Sequence, residues 1–318
     1  MEAADGDHGH VLDRVPLRFL VGPTGSGKTG LALEVAPGLG AEIVALDSMT
    51  VYRGLDVGTA KPDAAERARV PHHLLDVADP ARRFDLQRYL RLVEEVLEDL
   101  ERRGASALFV GGTGLYLAAL LRGVFDGPPA DPGLRAELMG RAEAEGDEAL
   151  HRELATVDPA AASRIHVNDR RRTVRALEVF LQTGETMSSR QAQWAGGPSP
   201  RERRAVIVGL QLPTEELDRR IAARAAAMLA GGWPEEAARV TAGDGLGPSA
   251  SQALGYETAA ALGRGELSME EACAKIALRT RQFARRQRTW FRKFPVHWVD
   301  PRAEGAAKEI TARLGAAR

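Results

Sequence analysis

The sequence predicts an α/β protein whose parallel sheet carries helices on both faces and is interrupted by an all-helical insertion. Three observations support this fold. A glycine-rich stretch, residues 22–29, lies between an apolar segment and a helical pattern. A second glycine-rich stretch, residues 111–114, has the same kind of flanks. Only helical patterns occur between residues 126 and 200, and proline- and glycine-rich segments bound this part of the chain.

The first of these stretches reads GPTGSGKT and fits the phosphate-binding pattern G-x-x-x-x-G-K-[ST]. Residues 15–21 before it predict a buried strand, and residues 30–36 after it predict a helix. In such a loop, backbone N–H groups surround a phosphate, and the helix N-terminus adds the positive end of its dipole. Lys28 supplies a full positive charge, and the Thr29 hydroxyl is placed for Mg²⁺. The residues predicted to bind a diphosphate or polyphosphate are Thr24, Gly25, Ser26, Gly27, Lys28 and Thr29.

The second predicted strand, residues 41–46, ends at Asp47. Because ligands of parallel α/β sheets lie beyond the carboxyl ends of the strands, we expect Asp47 near the phosphate-binding loop. A carboxylate there can organise Mg²⁺ or accept a proton. It can also simply cap a helix.

A helical pattern over residues 84–100 and a strand over residues 105–110 follow. The strand enters the turn Gly111-Gly112-Thr113-Gly114, predicted at the same sheet edge. Two glycine-rich turns on one edge indicate a shared active cleft. The paired His72 and His73 have no third ligand at metal-site spacing, so we expect them to be structural.

The insertion, residues 126–200, shows helical patterns over residues 134–145, 151–157 and 167–184. The last of these carries Arg170, Arg171, Arg172 and Arg175 with few acids nearby. Such a cluster is consistent with contacts to a nucleic-acid backbone and also with an ordinary solvated face. The sequence pattern leaves both readings open.

The chain returns to the core at residues 201–318, first with a strand over residues 205–210. A helix ending at Gly231-Gly232 carries Arg220 and Arg224 on one face. A long final helix opens with Ser268 and Glu271 at capping-box spacing. No acid occurs between Arg279 and Lys293, where arginines alternate with aromatic residues, a pattern that favours binding to nucleic acid.

The composition restricts the class of protein. A net charge of −1 over 318 residues means that any nucleic-acid surface must be a local patch. A single cysteine, Cys273, excludes an internal disulfide and favours a cytoplasmic location. No apolar run approaches the ~18 residues of a membrane span. The polar residues 1–14 predict a disordered N-terminal arm before a first core segment at residues 15–125.

Several motifs together carry a family resemblance. They are residues 22–29, Asp47-Ser48-Met49, residues 52–62 (YRGLDVGTAKP), 71–73 (PHH), 110–116 (VGGTGLY), 175–179 (RALEV), 280–287 (TRQFARRQ) and 289–292 (TWFR). These motifs occur in the order in which they occur in the tRNA dimethylallyltransferase family, and the sequence resembles that family over residues 15–294. Those isopentenyltransferases modify the adenine adjacent to the anticodon.

The resemblance implies a phosphate-binding core that transfers a dimethylallyl group from dimethylallyl diphosphate, with Mg²⁺, rather than acting as a kinase. It implies three catalytic residues: Asp47 as the general base for the adenine N6 amine, Thr113 as a positioning residue and Arg224 as a diphosphate contact beside Lys28. It further implies that tRNA is bound by Ser48, Met49 and Thr50 and by the insertion residues Arg171, Arg172, Thr173, Val174 and Arg175. We expect the enzyme to be a monomer that acts without a membrane.

The sequence departs from the family pattern at three places. Thr50 stands where Gln is common, so one short hydroxyl replaces an amide donor and acceptor. Glu257 stands where Lys is common, which reverses a charge. Arg171-Arg172-Thr173 replaces a common Gln-Arg-Ile. None of these changes removes a residue assigned to the chemical step.

Three alternatives share part of the pattern. A P-loop kinase of a small metabolite or nucleoside would explain the loop and Asp47 but not the arginine-rich helices. An RNA-binding protein switched by a nucleoside triphosphate would lack transfer chemistry. An enzyme that prenylates free adenosine phosphates would not need the basic insertion.

Overall fold

A single parallel sheet forms the centre of the structure, a computed structural model that describes residues 10–124, 127–191, 197–242 and 245–317. Its strands are β1 (Arg18–Val21), β2 (Ala41–Leu46), β3 (His72–His73), β4 (Ser106–Gly111), β5 (Val206–Leu210) and β6 (His297–Val299). Their order is β3-β2-β4-β1-β5-β6, and every neighbouring pair is parallel. The predicted α/β fold with a parallel sheet is confirmed.

Helices precede, connect and follow these strands. In chain order they are α1 (Val11–Arg14), α2 (Lys28–Val35), α3 (Ala64–Arg69), α4 (Leu86–Arg103), α5 (Gly114–Arg122), α6 (Pro132–Glu145), α7 (Asp147–Val157), α8 (Pro159–Ala162), α9 (Arg170–Thr183), α10 (Met187–Arg190), α11 (Pro200–Arg204), α12 (Thr214–Ala230), α13 (Trp233–Thr241), α14 (Tyr256–Gly263), α15 (Met269–Phe291) and α16 (Ala306–Gly315). None of them, within the described ranges, is long and apolar enough to cross a membrane.

Both faces of the sheet are covered by helices. Successive residues of β1 point to opposite faces, so Phe19 packs in one core and Leu20 in another. The Phe19 core includes buried residues of α4 and α5, whereas the Leu20 core includes residues of α2 and α16. Burial on both faces explains why the strands are almost continuously apolar.

The strand register brings the site-forming turns together. Gly111 at the end of β4 pairs with Val21 of β1 and with Leu46 of β2. A Cβ on Gly111 would lie 2.1 Å from the Leu46 carbonyl oxygen, so only glycine permits this close approach. The residues that follow these three strands therefore meet at one edge of the sheet.

The chain divides into two compact units, of which the second is Arg122–Ser199. Its helices α6 to α10 surround an apolar cluster that includes Leu138, Leu154 and Leu177. Its described residues, 122–124, 127–191 and 197–199, contain no strand. The helical insertion was predicted at residues 126–200, so its observed start is slightly earlier. The first unit comprises the core segments on either side of it.

The predicted disordered arm over residues 1–14 is wrong for its last residues. Val11–Arg14 forms α1, and the side chains of Val11 and Leu12 are buried in the core. Asp13 receives two hydrogen bonds of 2.7 Å from Arg201, which begins the return of the chain to the core. Two adjacent buried apolar residues, together with ion pairs of Asp13 with Arg201 and of Arg14 with Glu101, hold this short segment on the core. Residues 1–9 lie outside the described residues.

Candidate active site

The phosphate-binding loop between β1 and α2 is shaped by glycines. Gly25 and Gly27 have φ angles of +82° and +91°, which side-chain-bearing residues rarely adopt. Ser26 is buried, and its Oγ has no hydrogen-bond partner among the described residues. The Lys28 Nζ donates to the carbonyl oxygens of Gly22 and Pro23, at 2.9 and 2.8 Å. The loop therefore holds a cation and an unpaired hydroxyl where oxygen ligands are expected.

A glutamine of the final helix connects this loop to the second glycine-rich turn. The Gln287 Oε1 accepts a hydrogen bond from the Thr24 N–H, and its Nε2 donates to the Gly112 carbonyl oxygen, both at 2.9 Å. Gln287 is buried, and a Cβ on Gly112 would collide with its amide. We therefore identify Gln287 as a residue that fixes the relative position of the two turns.

Asp47 and Thr113 belong to neighbouring strand ends. The Asp47 Oδ1 accepts hydrogen bonds from the backbone N–H groups of Met49 and Thr50, at 2.8 and 3.3 Å. The Thr113 Oγ1 accepts one from the Ser48 N–H at 3.1 Å. No described group is hydrogen-bonded to the Asp47 Oδ2, so this oxygen remains available to a ligand. Asp47 is not the N-cap of a regular helix here, because α3 begins only at Ala64.

Two cations face Asp47. Arg224 lies on α12, and burial lowers its pKa while the nearby Asp47 carboxylate raises it. Desolvation, and next the positive charge of Arg224, lower the pKa of Lys28 to about 7, although Asp47 acts in the opposite direction. Arg224 thus lowers the proton affinity of Lys28, and two cations placed this close form a site suited to a multiply charged anion.

One cavity of about 360 Å³ in the core unit joins these groups. The residues predicted to bind substrates that line it are Thr24, Gly25, Gly27, Lys28, Thr29, Asp47, Ser48, Met49, Thr50, Thr113 and Arg224. Ser26 is not among the lining residues, although it lies between two of them. The sequence-based prediction of one shared cleft is consistent with this arrangement.

An apolar wall, not predicted from the sequence, completes the cavity. It consists of Ile221, Ala225, Met228, Trp233, Tyr256 and Ile276. The first three lie on α12 at helical spacing around Arg224. This spacing is the one sequence signal that could have identified them as part of the site. The cavity thus combines a charged end with an apolar surface.

The segment between β2 and α3 is held by a buried lysine. The Lys61 side chain is 1% exposed, and its Nζ lies 2.6 Å from both Asp56 Oδ1 and Asp76 Oδ1. It also donates to the Tyr52 carbonyl oxygen at 2.8 Å. This network fixes Thr59 and its neighbours, which line the cavity.

No group of three or more His, Cys, Asp or Glu side chains suited to a metal ion occurs in the described residues. His72 and His73 form strand β3 and bond the Val70 carbonyl oxygen and the Glu42 carboxylate, and His72 also lines the cavity, so their structural role stays a prediction. The hydroxyl of Thr29 and the carboxylate of Asp47 both line the cavity. These two oxygen donors fit a Mg²⁺ ion that is held mainly by substrate phosphates.

The predicted tRNA-binding stretch of the insertion is only partly exposed. Arg171 and Arg172 lie on the surface of α9, but the side chains of Thr173 and Val174 are buried in the core of the insertion. The 3.6-residue helical period turns the side chains of Thr173 and Val174 inward, so a contact of these two residues with tRNA stays a prediction that rests on their backbone. Arg175 donates to the buried carboxylate of Glu178 at 2.7 Å and to the Pro128 carbonyl oxygen at 2.8 Å. Its guanidinium thus stabilises the insertion.

Several arginines of α15 are exposed. Arg279, Arg285 and Arg286 are exposed, and the Arg286 guanidinium lies 5.9 Å from the centre of the Phe283 ring. The Lys293 ammonium lies 4.5 Å from the Trp290 ring. Cations beside accessible aromatic rings are suited to phosphates and bases of RNA.

Two known family models match this chain. The model of the family described as IPP transferase matches residues 50–294, and the isopentenyl transferase model matches residues 15–77. The chain belongs to the IPP transferase family. Residues 50–294 include the cavity-lining parts of α12, α14 and α15, so the family assignment extends well beyond the phosphate-binding loop.

Individual IPP transferases are similar over most of this chain. The tRNA dimethylallyltransferase of Anaeromyxobacter dehalogenans is 48% identical over 288 residues, 90% of this chain and 95% of that protein. The tRNA dimethylallyltransferase of Geobacter metallireducens is 44% identical over 290 residues, 91% of this chain and 93% of that protein.

Solved structures of this family have the same fold. The tRNA isopentenylpyrophosphate transferase of Bacillus halodurans gives a TM-score of 0.67 at 35% identity, covering 93% of this chain and 94% of that chain. A eukaryotic dimethylallyltransferase acting on tRNA gives a TM-score of 0.73 at 25% identity, covering 90% of this chain and 74% of that chain.

Proposed function

We propose that this protein transfers a dimethylallyl group from dimethylallyl diphosphate to N6 of the adenine adjacent to the anticodon in tRNA, releasing diphosphate. The observation that carries this proposal is the cavity in which a phosphate-binding loop, a carboxylate and an apolar wall meet. Relatives named tRNA dimethylallyltransferase, 44–48% identical over about nine tenths of the chain, support it.

The charged end of the cavity is suited to the diphosphate. Lys28 and Arg224 supply two positive charges, and the N–H groups of the phosphate-binding loop supply hydrogen-bond donors. As the bond between C1 and the diphosphate oxygen breaks, negative charge accumulates on the leaving group. Preorganised cations stabilise that charge more than they stabilise the ground state, and therefore accelerate transfer.

Thr29 is the residue that would hold Mg²⁺ together with the diphosphate. When bound, this ion supplies further neutralisation of the leaving group. The rest of the charge compensation comes from Lys28 and Arg224.

Asp47 and Thr113 are suited to the adenine amine. The lone pair of this amine is delocalised into the ring, so the amine is a poor nucleophile. Asp47 Oδ2 can accept a proton from N6 while the new N6–C1 bond forms. Thr113 Oγ1 is fixed by the Ser48 N–H, so its hydroxyl proton can point at a substrate atom. The proton thus passes from N6 to Asp47 as diphosphate leaves C1.

The target adenine has to leave its stacked position to reach this cavity. Ser48, Met49 and Thr50 line the cavity beside Asp47. The Thr50 Oγ1 is buried without a partner in the described part of the chain, which leaves it available to the edge of a base. We therefore propose that Thr50 takes part in adenine recognition with one hydrogen bond.

Two basic surfaces support binding of the tRNA backbone: Arg171 and Arg172 in the insertion, and the exposed arginines of α15 in the core unit. Each phosphate contact would release counterions and make binding salt-dependent. We also propose that one chain suffices for catalysis, since a single core unit supplies every lining residue of the cavity.

Incubation of the protein with labelled dimethylallyl diphosphate, Mg²⁺ and unmodified bulk tRNA tests the proposal. Label should enter the RNA, and nuclease digestion should release it as N6-dimethylallyladenosine. A parallel reaction with γ-labelled ATP tests the kinase alternative. Phosphoryl transfer to a small acceptor, with no prenyl incorporation, would refute the proposed function.

A further inference from the structure

Residues of helix α12 line the cavity from its charged end, at the phosphate-binding loop, toward its apolar wall. Gly25 of the phosphate-binding loop packs near Ile221, since a Cβ on this glycine would lie 3.2 Å from Ile221 Cγ1. Arg224 follows on the same face of the helix, and Met228 lies one turn further. With a rise of 1.5 Å per residue, Met228 is about 6 Å along the helix from Arg224. An allylic chain whose diphosphate binds at Arg224 can therefore extend toward Met228 and the aromatic wall beyond it.

The indole of Trp233 forms part of the apolar wall farthest from the phosphate-binding loop. Its neighbours leave no space into which the ring could move. A Cβ on Gly58 would lie 2.3 Å from its Nε1, and a Cβ on Gly255 would lie 2.4 Å from its Cη2. The indole is thus in close contact with two glycine backbones and is only 2% exposed. Gly255 has a φ of +94°, so the backbone at this contact favours glycine.

Tyr256 supports the same wall and is fixed in turn by Glu236. The rings of Tyr256 and Trp233 pack edge to face, with their centres 5.7 Å apart. The Tyr256 hydroxyl donates to Glu236 Oε1 at 2.6 Å. The buried Glu236 carboxylate also accepts hydrogen bonds from the N–H groups of Asp56, Val57 and Gly58, at 3.0, 2.7 and 3.0 Å.

We propose that Trp233 and Tyr256, held in place by Glu236, close the apolar end of the cavity and restrict the allylic substrate to a five-carbon chain. This inference rests on the proposed function. A ten-carbon chain would have to displace rings that are packed against glycine backbones, and closely packed interiors resist added volume. The cavity of about 360 Å³ must also admit the adenine, which leaves little room for a longer chain.

Competition between dimethylallyl diphosphate and geranyl diphosphate tests the proposal. Binding of each diphosphate without tRNA, and kcat/KM for transfer with tRNA, are measured for the wild type, Trp233→Leu and Met228→Ala. Met228 is only half-buried, so Met228→Ala keeps the test available if Trp233→Leu fails to fold. Met269→Ala is the matched control, because Met269 is exposed at the start of α15 and does not line the cavity.

The wild type should prefer the five-carbon substrate by more than about 100-fold, since even one methylene in a fitted pocket gives about 10–200-fold discrimination. Trp233→Leu and Met228→Ala should each reduce that preference at least about tenfold, and Met269→Ala should not change it. An unchanged preference in folded Met228→Ala and Trp233→Leu, or equal use of both substrates by the wild type, would overturn the proposal. Absence of transfer from both diphosphates would instead refute the proposed function, while the binding measurement would still test the wall.

Discussion

The side-chain carbonyl of Gln287, on the final long helix, accepts the backbone N–H of Thr24 in the phosphate-binding loop at 2.9 Å. The same amide donates to the Gly112 carbonyl oxygen. One buried side chain therefore determines the spacing between the loop that faces the diphosphate and the turn that carries Thr113. Small changes in that spacing should affect the reaction more than they affect the fold.

Gln287→Leu tests this role. The substitution leaves the Thr24 N–H and the Gly112 carbonyl without their partner, and each unsatisfied buried group costs about 1–3 kcal/mol. We expect diphosphate affinity and single-turnover transfer to fall by about tenfold or more, while far-UV circular dichroism stays unchanged. Gln282→Leu is the matched control, because Gln282 is exposed on the same helix. Equal transfer rates in the two variants would contradict a positioning role for Gln287.

The lowered pKa of Lys28 predicts a pH-dependent substrate affinity. Its pKa is about 7 without ligand, and a bound diphosphate should raise it, since opposite charge favours the ammonium form. At pH 8, binding should therefore take up a proton at Lys28, and affinity should decrease as the pH rises above 7. Calorimetry in buffers of different ionisation enthalpy measures this uptake.

Lys28→Arg provides the comparison for this measurement, because arginine stays protonated throughout this pH range. The variant should lose the proton uptake that belongs to Lys28. The same uptake in both proteins at pH 8 would show that Lys28 is already charged before the ligand binds.

The arginines of α9 should separate into two groups. Reversal of the exposed Arg171 and Arg172 to glutamate should weaken tRNA binding and flatten its salt dependence, because fewer counterions are released. Dimethylallyl diphosphate binding should be unaffected. Filter binding of tRNA at several salt concentrations gives the slope, and a slope equal to that of the wild type would exclude this surface from tRNA binding.

Arg175→Leu should instead reduce stability. This substitution leaves the buried carboxylate of Glu178 with Arg135 and the Asp131 N–H but without its second arginine. We expect the free energy of unfolding to fall by about 1–3 kcal/mol. Chemical denaturation measures it, and an unchanged midpoint together with a reduced salt slope would place Arg175 at the RNA surface instead.

Features that depend on residues close together in the sequence were predicted well. The glycine pattern of residues 22–29, the strand ending at Asp47 and the capping box of Ser268 and Glu271 are local, and all have the expected form. The buried connections could not be predicted in this way. Gln287 is 263 positions from Thr24, and Glu236 is 180 positions from Asp56, so no local pattern pairs them.

The burial of two predicted tRNA-binding residues was missed for a related reason. The family resemblance implied tRNA contacts for the whole stretch 171–175, whereas a helix divides such a stretch between its exposed and buried sides. Thr173 and Val174 belong to the buried side, and the two arginines before them belong to the exposed side. At the N-terminus, the polar composition of the predicted arm masked Val11 and Leu12, a short apolar pair that packs in the core.

Single-turnover transfer by Asp47→Asn tests the central claim most directly, namely that Asp47 activates the adenine amine. Asparagine retains the acceptor oxygen that holds the Met49 and Thr50 N–H groups, so the local backbone should stay in place. It cannot accept the N6 proton, and loss of a general base costs about 10²–10⁴-fold in rate. We predict a decrease of that size, with binding of tRNA and of dimethylallyl diphosphate nearly unchanged. Transfer at close to the wild-type rate would contradict the account.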